Sequence, residues 1–275
     1  VIEGKEKLKM KLVVLGSNGY RPTDLGQTAC YAIPELGVIL DAGSGIYRMV
    51  DYLLSNQLHI FLTHAHSDHY GGLVYLDFVF WKKFALEALE RGTKPKMESF
   101  YKSLEASQPK ARVHVAPEVL DDIPLHVRHF RDNKFFDFLP LKATEELSGG
   151  ARLISFPVDH TVMCFGFRLD KPGGSLAYVT DTYGGPDASY LENIRGVDVL
   201  LHDCCVSDDD SEFARRVGHS HITPVAQLAA EAHVGRLILI HLSAMRPEMG
   251  EPEIERAHPI FPRTELAFDR MEIEF

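Results

Sequence analysis

Cysteine is scarce. The four in 275 residues, Cys30, Cys164, Cys204 and Cys205, have neither the density of a disulfide scaffold nor the paired spacing of a thiolate zinc site, so they point to a reduced, cytoplasmic setting. Cys204 and Cys205 are read as small buried residues at a strand end, without chemistry of their own. Basic residues are also in deficit: 29 Lys and Arg stand against 39 Asp and Glu, a formal charge of −10. That balance opposes a broad basic face gripping extended nucleic acid. No apolar run approaches the roughly 20 residues of a membrane span, and the order of charges and apolar residues in a signal peptide is missing, so no membrane partner is expected. Internal repeats, low-complexity segments and Pro-rich linkers are absent too.

What is present is enough for a full core: 45% of the residues are hydrophobic, and the length suits one α/β domain. We expect that domain over 10–275, with the charged, unpatterned residues 1–9 as a tag remnant or disordered N-terminus ahead of a natural start at Met10. Lys11 to Leu15 reads as a first strand closed by Gly16-Ser17-Asn18-Gly19. Ala29 to Ile33 and Val38 to Leu40 flank a Pro34-to-Gly37 turn as a hairpin that delivers Asp41-Ala42-Gly43 to a strand end. Met49 to Leu54 is expected to be helical, and His59 to Leu62 a buried strand. A helical insert is expected over about 77–110, then a strand at Arg112 to Val115 and a helical turn at Pro117 to Leu120. Arg128 to Leu141 reads as short strands or irregular ribbon. Ala151 to Pro157 leads into Asp159-His160, and Met163 to Leu169 pairs with Ser175 to Thr180 across Pro172-Gly173-Gly174. Val197 to Leu201 and Leu237 to Ile240 are further strands, with a helix over Pro224 to Ala232 and Thr223 as its N-cap. Both halves alternate strands with helices, which predicts two stacked mixed sheets with helices outside.

One theme recurs: a short apolar strand runs out, and a His or Asp follows. The richest case is Thr63-His64-Ala65-His66-Ser67-Asp68-His69. Its alternation can point His64 and His66 one way while Asp68 and His69 face a neighbouring position, so one tight segment can serve two metals. Imidazole and carboxylate donors without thiolate suit zinc, and also manganese or iron, and they leave positions open for water. Three His and one Asp within six residues, after a strand and before Gly71-Gly72, are rarely a mere polar surface loop. A lone His after a strand, such as His160 or His241, is ordinarily a satisfied, partly buried residue, and Asp181 in Thr180-Asp181-Thr182 could be a turn or cap. Their order after the first segment is what makes them candidates. His59, His114, His126, His129, His233 and His258 lack such placement and are read as ordinary.

With this order of ligands the sequence resembles the metallo-β-lactamase-fold hydrolases, whose signature is that first segment followed by a distant His, then Asp, then His. The resemblance implies an α/β fold, a four-layer αββα sandwich of two mixed β-sheets flanked by helices, and two divalent metal ions per chain. His64, His66 and His160 would hold the first, Asp68, His69 and His241 the second, and Asp181 would bridge them. It also implies that Asp41 orients the ligand segment by hydrogen bonds.

A second constellation, His202-Asp203, then Gly218-His219-Ser220, then Gly235 to Ser243, resembles ribonuclease Z and its phosphodiesterase relatives, as does Ile260 to Ala267. There His219 matches a histidine that contacts the scissile phosphate and protonates the leaving oxygen, and Asp203 stands where the family usually has Glu. The motif departs in reading His219-Ser220-His221, which leaves His221 as a rival acid or pocket residue. Asp68 is expected to orient the nucleophile. The expected substrate is a small phosphodiester such as a cyclic nucleotide, since no long basic Gly/Pro-rich arm for tRNA is visible. The rivals are a tRNA 3′-processing endonuclease, an aryl sulfatase or carboxylic ester hydrolase, and a non-hydrolytic redox module. Trp81, Phe84, Phe100 and Tyr101 are expected in the core, with a pocket mouth or homodimer seam as the alternative.

Overall fold

In the computed structural model, which describes residues 10–54, 57–105, 111–130, 135–245, 248 and 252–275, the two halves of the chain build one mixed sheet each. The first holds β1 (Lys11–Gly16), β2 (Cys30–Ile33), β3 (Val38–Leu40), β4 (Leu58–Phe61), β5 (Ala111–Val115) and β6 (Phe136–Pro140). The second holds β7 (Thr144–Glu146), β8 (Arg152–Val158), β9 (Cys164–Lys171), β10 (Gly174–Val179), β11 (Val199–Asp203), β12 (Leu237–Ile240) and β13 (Thr264–Leu266). The strand β14 (Glu272–Glu274) returns to the first sheet beside β1, so among the described residues each sheet has seven strands. In both, antiparallel pairing at one end changes to parallel pairing at the other: β3 to β6 run parallel, as do β10 to β13.

Strand periodicity sorts side chains between layers. Leu12 and Val14 join the core between the sheets, whereas Val13 and Leu15 face the outer core of the first sheet. Ile238 and Ile240 likewise enter the central core while Leu237 and Leu239 pack outward, so the unbroken run Leu-Ile-Leu-Ile is what a doubly covered strand requires. Helices cover both outer faces. On the second sheet, Ile222–Glu231 buries Ile222, Val225, Ala226, Leu228 and Ala229 at helical spacing. The αββα sandwich follows from these three apolar layers.

The insert on the first sheet consists of two helices, Leu76–Glu90 and Met97–Glu105. Trp81, Phe84 and Phe100 form one ring cluster with centroids 5.4–5.9 Å apart, packed on the outer core together with Tyr101, and these side chains do not line the cleft described below. Phe135 and Phe136 are buried in the same layer, with Phe138 against it.

Several local expectations shift. The helical stretch near Met49 is a 3-10 helix at Ser44–Asp51, ending where Tyr52 leaves it. The helix after His219 starts at Ile222, not Pro224, and Thr223 does not cap it: Asp208 from an upstream turn accepts the Thr223 N–H at 2.9 Å and its hydroxyl at 2.6 Å. A carboxylate from elsewhere in the chain has replaced the local cap. Around Arg128 there is a helical turn, Leu125–Arg128, then β6. Residues 1–9 and 106–110, on which the expected remnant and the end of the insert fall, lie outside the described residues. Among those described, no helix is long and apolar enough to cross a membrane.

Candidate metal centre

Four strands end at one edge of the sandwich and bring the candidate ligands together. His64 and His66 leave β4, and Ser67–Tyr70 then closes one α-helical turn, which turns Asp68 and His69 inward. His160 follows β8, Asp181 follows β10 and His241 follows β12. Asp41, Asp181 and His241 all have left-handed backbones, with φ of 57°, 52° and 54°. A non-glycine residue rarely takes that conformation, and here each case lies just past a strand and swings a functional side chain off the strand axis into the site.

The donor atoms form two main groups on either side of Asp181, His64, His66 and His160 with Asp181 and then Asp68, His69 and His241, and Asp181 and His241 also group with His219. Asp181 Oδ1 lies 3.6 Å from His64 Nε2 and 3.8 Å from His160 Nε2, and His160 Nε2 is 3.4 Å from His66 Nδ1. Its Oδ2 faces the other group, 3.2 Å from His69 Nε2 and 3.4 Å from His241 Nε2. Asp68 Oδ2 is 3.4 Å from His69 Nε2 and 3.3 Å from His241 Nε2. Donors placed about 2.0–2.1 Å from a tetrahedral zinc lie about 3.3 Å from one another, so both groups have the size of a coordination shell.

Two further observations fit a cation. His64 Nε2 is buried with no hydrogen-bond partner, a costly state unless something positive meets its lone pair. Asp41, Asp68, Asp181 and Asp203 are all buried, and among the described residues their ion-pair contacts are with histidines, not Lys or Arg. Burial pushes the Asp68 and Asp181 carboxyls up, yet the surrounding imidazoles hold both well below the usual range. Burial pulls His69 down, and the charges of Asp181, Asp68 and Asp41 more than reverse that. So much negative charge in a dry site fits a bound metal cation.

The outer partners set which imidazole nitrogen faces inward. His69 Nδ1–H donates to Asp41 Oδ2 at 2.7 Å, and His160 Nδ1–H donates to the Gly218 carbonyl at 3.2 Å, which leaves each Nε2 free. Thr63 gives its N–H and hydroxyl to Asp41 and receives His64 Nδ1–H at 2.9 Å. The Tyr178 hydroxyl, 2.6 Å away, also donates to Asp41. Asp41→Asn keeps a residue that tolerates left-handed backbone but removes the charge and one acceptor. It is expected to weaken metal affinity by roughly 10–100-fold, measured by competition with a chromogenic chelator; unchanged affinity would contradict this role.

His219 lies at the rim, and Asp203 is buried beside it. His219 Nδ1 is 2.8 Å from Asp203 Oδ2, and its Nε2 reaches toward Asp181 Oδ1 at 3.9 Å. Burial pulls the imidazole down, but the Asp203 charge and hydrogen bond, helped by Asp181, push it up to about 9. His221 faces elsewhere: its Nδ1 pairs with Asp208 at 2.6 Å, on the helix-capping carboxylate. It therefore belongs to neither the ligand groups nor the cleft lining. Cys204 is buried, while Cys205 lines the cleft with its thiol pushed well up by burial and nearby carboxylates, an unreactive state.

Three contributors were not foreseen. The Tyr20 N–H donates to Asp68 Oδ2 at 2.6 Å. The loop bearing Tyr20 is tied down by Asp269, which accepts from Ser17 N at 3.0 Å, Gln27 N at 2.8 Å and the Arg48 guanidinium. Gly19 lets this loop pass over the site, since a Cβ there would fall 2.2 Å from His241 Cε1. Gly16-Ser17-Asn18-Gly19 was the one visible signal, read only as a turn. Beside the ligands opens a cleft of about 620 Å³ whose lining includes Tyr20, Phe213, His219, His241 and Met245.

Comparison with known proteins gives the family and the fold. Residues 38–242 match the family model described as the beta-lactamase superfamily domain. The chain is 25% identical to ribonuclease Z of Saccharolobus solfataricus, over 94% of this chain and 97% of that protein. It is 29% identical to ribonuclease Z of Metallosphaera sedula, over 92% and 94%. The crystal structure of the metallo-beta-lactamase fold protein YhfI from Bacillus subtilis superposes with a TM-score of 0.75 at 17% identity, covering 97% of this chain and all of that one.

Proposed function

The chain belongs to the beta-lactamase superfamily of metal-dependent hydrolases, in its ribonuclease Z-like branch, and we propose that it cleaves small phosphodiesters with two bound divalent ions, zinc by preference. The observation that carries the reading is the His219–Asp203 pair at 2.8 Å, set beside a ligand cluster divided in two by one carboxylate. A hydrolase of good leaving groups has little need of such an acid; a phosphodiester with an alkoxide leaving group needs one.

When bound by His64, His66 and His160 on one side, Asp68, His69 and His241 on the other and Asp181 between, the ions supply Lewis acidity toward the phosphoryl oxygens and acidify water. The protein's own part is positional. Asp68, held by the Tyr20 N–H, orients the attacking water through its remaining lone pairs. His219, fixed by Asp203, holds a proton on Nε2 for the leaving oxygen. Both groups are ordered before substrate arrives, so they stabilise charge that grows in the transition state without reorganising.

The cleft has the volume of a small-ligand pocket, and the −10 charge disfavours long anions. In addition, β9 and β10 join through a tight turn with Lys171 opposite Gly174, leaving no projecting arm between His160 and Asp181. A second reading, tRNA 3′-end processing, is favoured by relatives named ribonuclease Z that align along nearly their whole length. Turnover of bis-p-nitrophenyl phosphate in the presence of a tRNA precursor separates the two. Small-diester activity that the precursor leaves untouched at micromolar concentration supports our reading; tight, steeply salt-dependent inhibition with 3′ cleavage would replace it with the endonuclease.

A further inference from the structure

Resting on the phosphodiester reading, we propose that the cleft beside the metal centre is a subsite for a planar ring of the substrate, a nucleobase or aryl group, with Tyr20 as its stacking platform and Phe213 as a second wall.

Tyr20 is 76% exposed and shares the cleft lining with Phe213 and Met245, so its ring belongs to an exposed apolar patch and is not a solitary surface residue. Its backbone has φ of 68°, a conformation that tyrosine rarely takes. The loop that imposes it is anchored, not loose: Asp269 holds both ends, and the Tyr20 N–H is committed to Asp68. The backbone of Tyr20 is therefore held at a fixed place, within hydrogen-bond reach of a candidate metal ligand. Phe213, on the helix Ser211–Val217, and Met245 are 41% and 50% exposed and line the same cleft, with Val217 beside them. The polar members of the lining include His219 and His241. An apolar, partly aromatic wall thus meets the general acid and a metal ligand in one cavity.

The chemistry of that juxtaposition is specific. A phosphodiester has a charged centre and two arms; the centre belongs with the cations and His219, and whatever arm lies in the cleft meets apolar faces. An aliphatic arm would gain little from flat rings, whereas a planar ring stacks on them, tolerant of its substituents because every such ring has a π-face. Ring-bearing diesters should accordingly bind better than alkyl ones through this wall alone.

The test uses two non-hydrolysable ligands that share a charged head, phenylphosphonate and methylphosphonate, titrated calorimetrically into the zinc-loaded protein. Phenylphosphonate is expected to bind about tenfold tighter or more. Tyr20→Ala should remove most of that preference by weakening phenylphosphonate alone, Tyr20→Phe should keep it, and Phe213→Ala, on a separate element, should also reduce it. Equal affinities in the wild type, or a preference unchanged in both alanine variants, would overturn the subsite while leaving the phosphodiester reading in place. Failure of both phosphonates to bind would count against the phosphodiester reading itself, and the subsite would fall with it.

Discussion

Asp181→Ala is expected to cost the protein at least one equivalent of bound metal and on the order of a thousandfold in turnover, more than the roughly 10–100-fold that losing an outer partner costs. The reason is geometric. Its Oδ1 faces His64 and His160 while its Oδ2 faces His69 and His241, so one substitution removes an anionic donor from both groups. The residual histidines lose the charge that offsets a divalent ion. Alanine also has to occupy a left-handed backbone at φ 52°, which adds roughly 1–2 kcal/mol of strain, so Asp181→Asn is the companion variant. Asparagine tolerates that backbone and retains one oxygen, and it should hold one ion more firmly than the other. Elemental analysis of both variants after dialysis, with thermal melting to confirm the fold, checks the assignment. Full retention of two ions by Asp181→Ala would refute bridging.

The second large effect should depend on the leaving group. His219→Ala is expected to leave metal content intact and to lower hydrolysis of alkyl-leaving diesters by roughly 10²–10⁴-fold, the usual worth of a positioned acid. Nitrophenolate is stable as an anion and departs without a proton, so nitrophenyl diesters should lose far less. Asp203→Asn should move in the same direction with smaller amplitude, because it keeps a partner for His219 Nδ1 but removes the charge that raises the imidazole. An equal loss on both kinds of ester would take His219 out of the acid role and leave it as a residue that packs beside His241, with ring centroids 5.1 Å apart.

Much of this was legible because the signals are local. A strand buried on both faces writes itself as an apolar run, and the candidate ligands follow such strands within one to five residues; that is why His64, His66, His160, Asp181 and His241, which the structure brings together, could be picked out as candidates without coordinates. What stayed hidden depends on distance along the chain. Asp269 reaches Ser17 across 252 residues, and Tyr178 reaches Asp41 across 137, so neither partnership has a sequence signature. The cap on Thr223 comes from Asp208, and the same carboxylate draws His221 away from the site, a competition that spacing alone does not display. The left-handed conformations at Tyr20, Asp41, Asp181 and His241 were equally invisible: nothing in a Tyr, Asp or His codes for positive φ, and tertiary contacts impose it. The short strands β13 and β14 carry little pattern of their own, and pairing with β12 and β1 is what defines them.

Whether the protein is a two-metal phosphodiesterase is tested most directly by metal content from elemental analysis, on the same sample used for turnover of bis-p-nitrophenyl phosphate and p-nitrophenyl sulfate. The geometry predicts two ions per chain, with diester turnover that disappears on chelation and returns with zinc, and no comparable sulfate turnover. Two ions with sulfate or carboxylic ester turnover alone would contradict the substrate. A protein that binds no metal would contradict the account at its base.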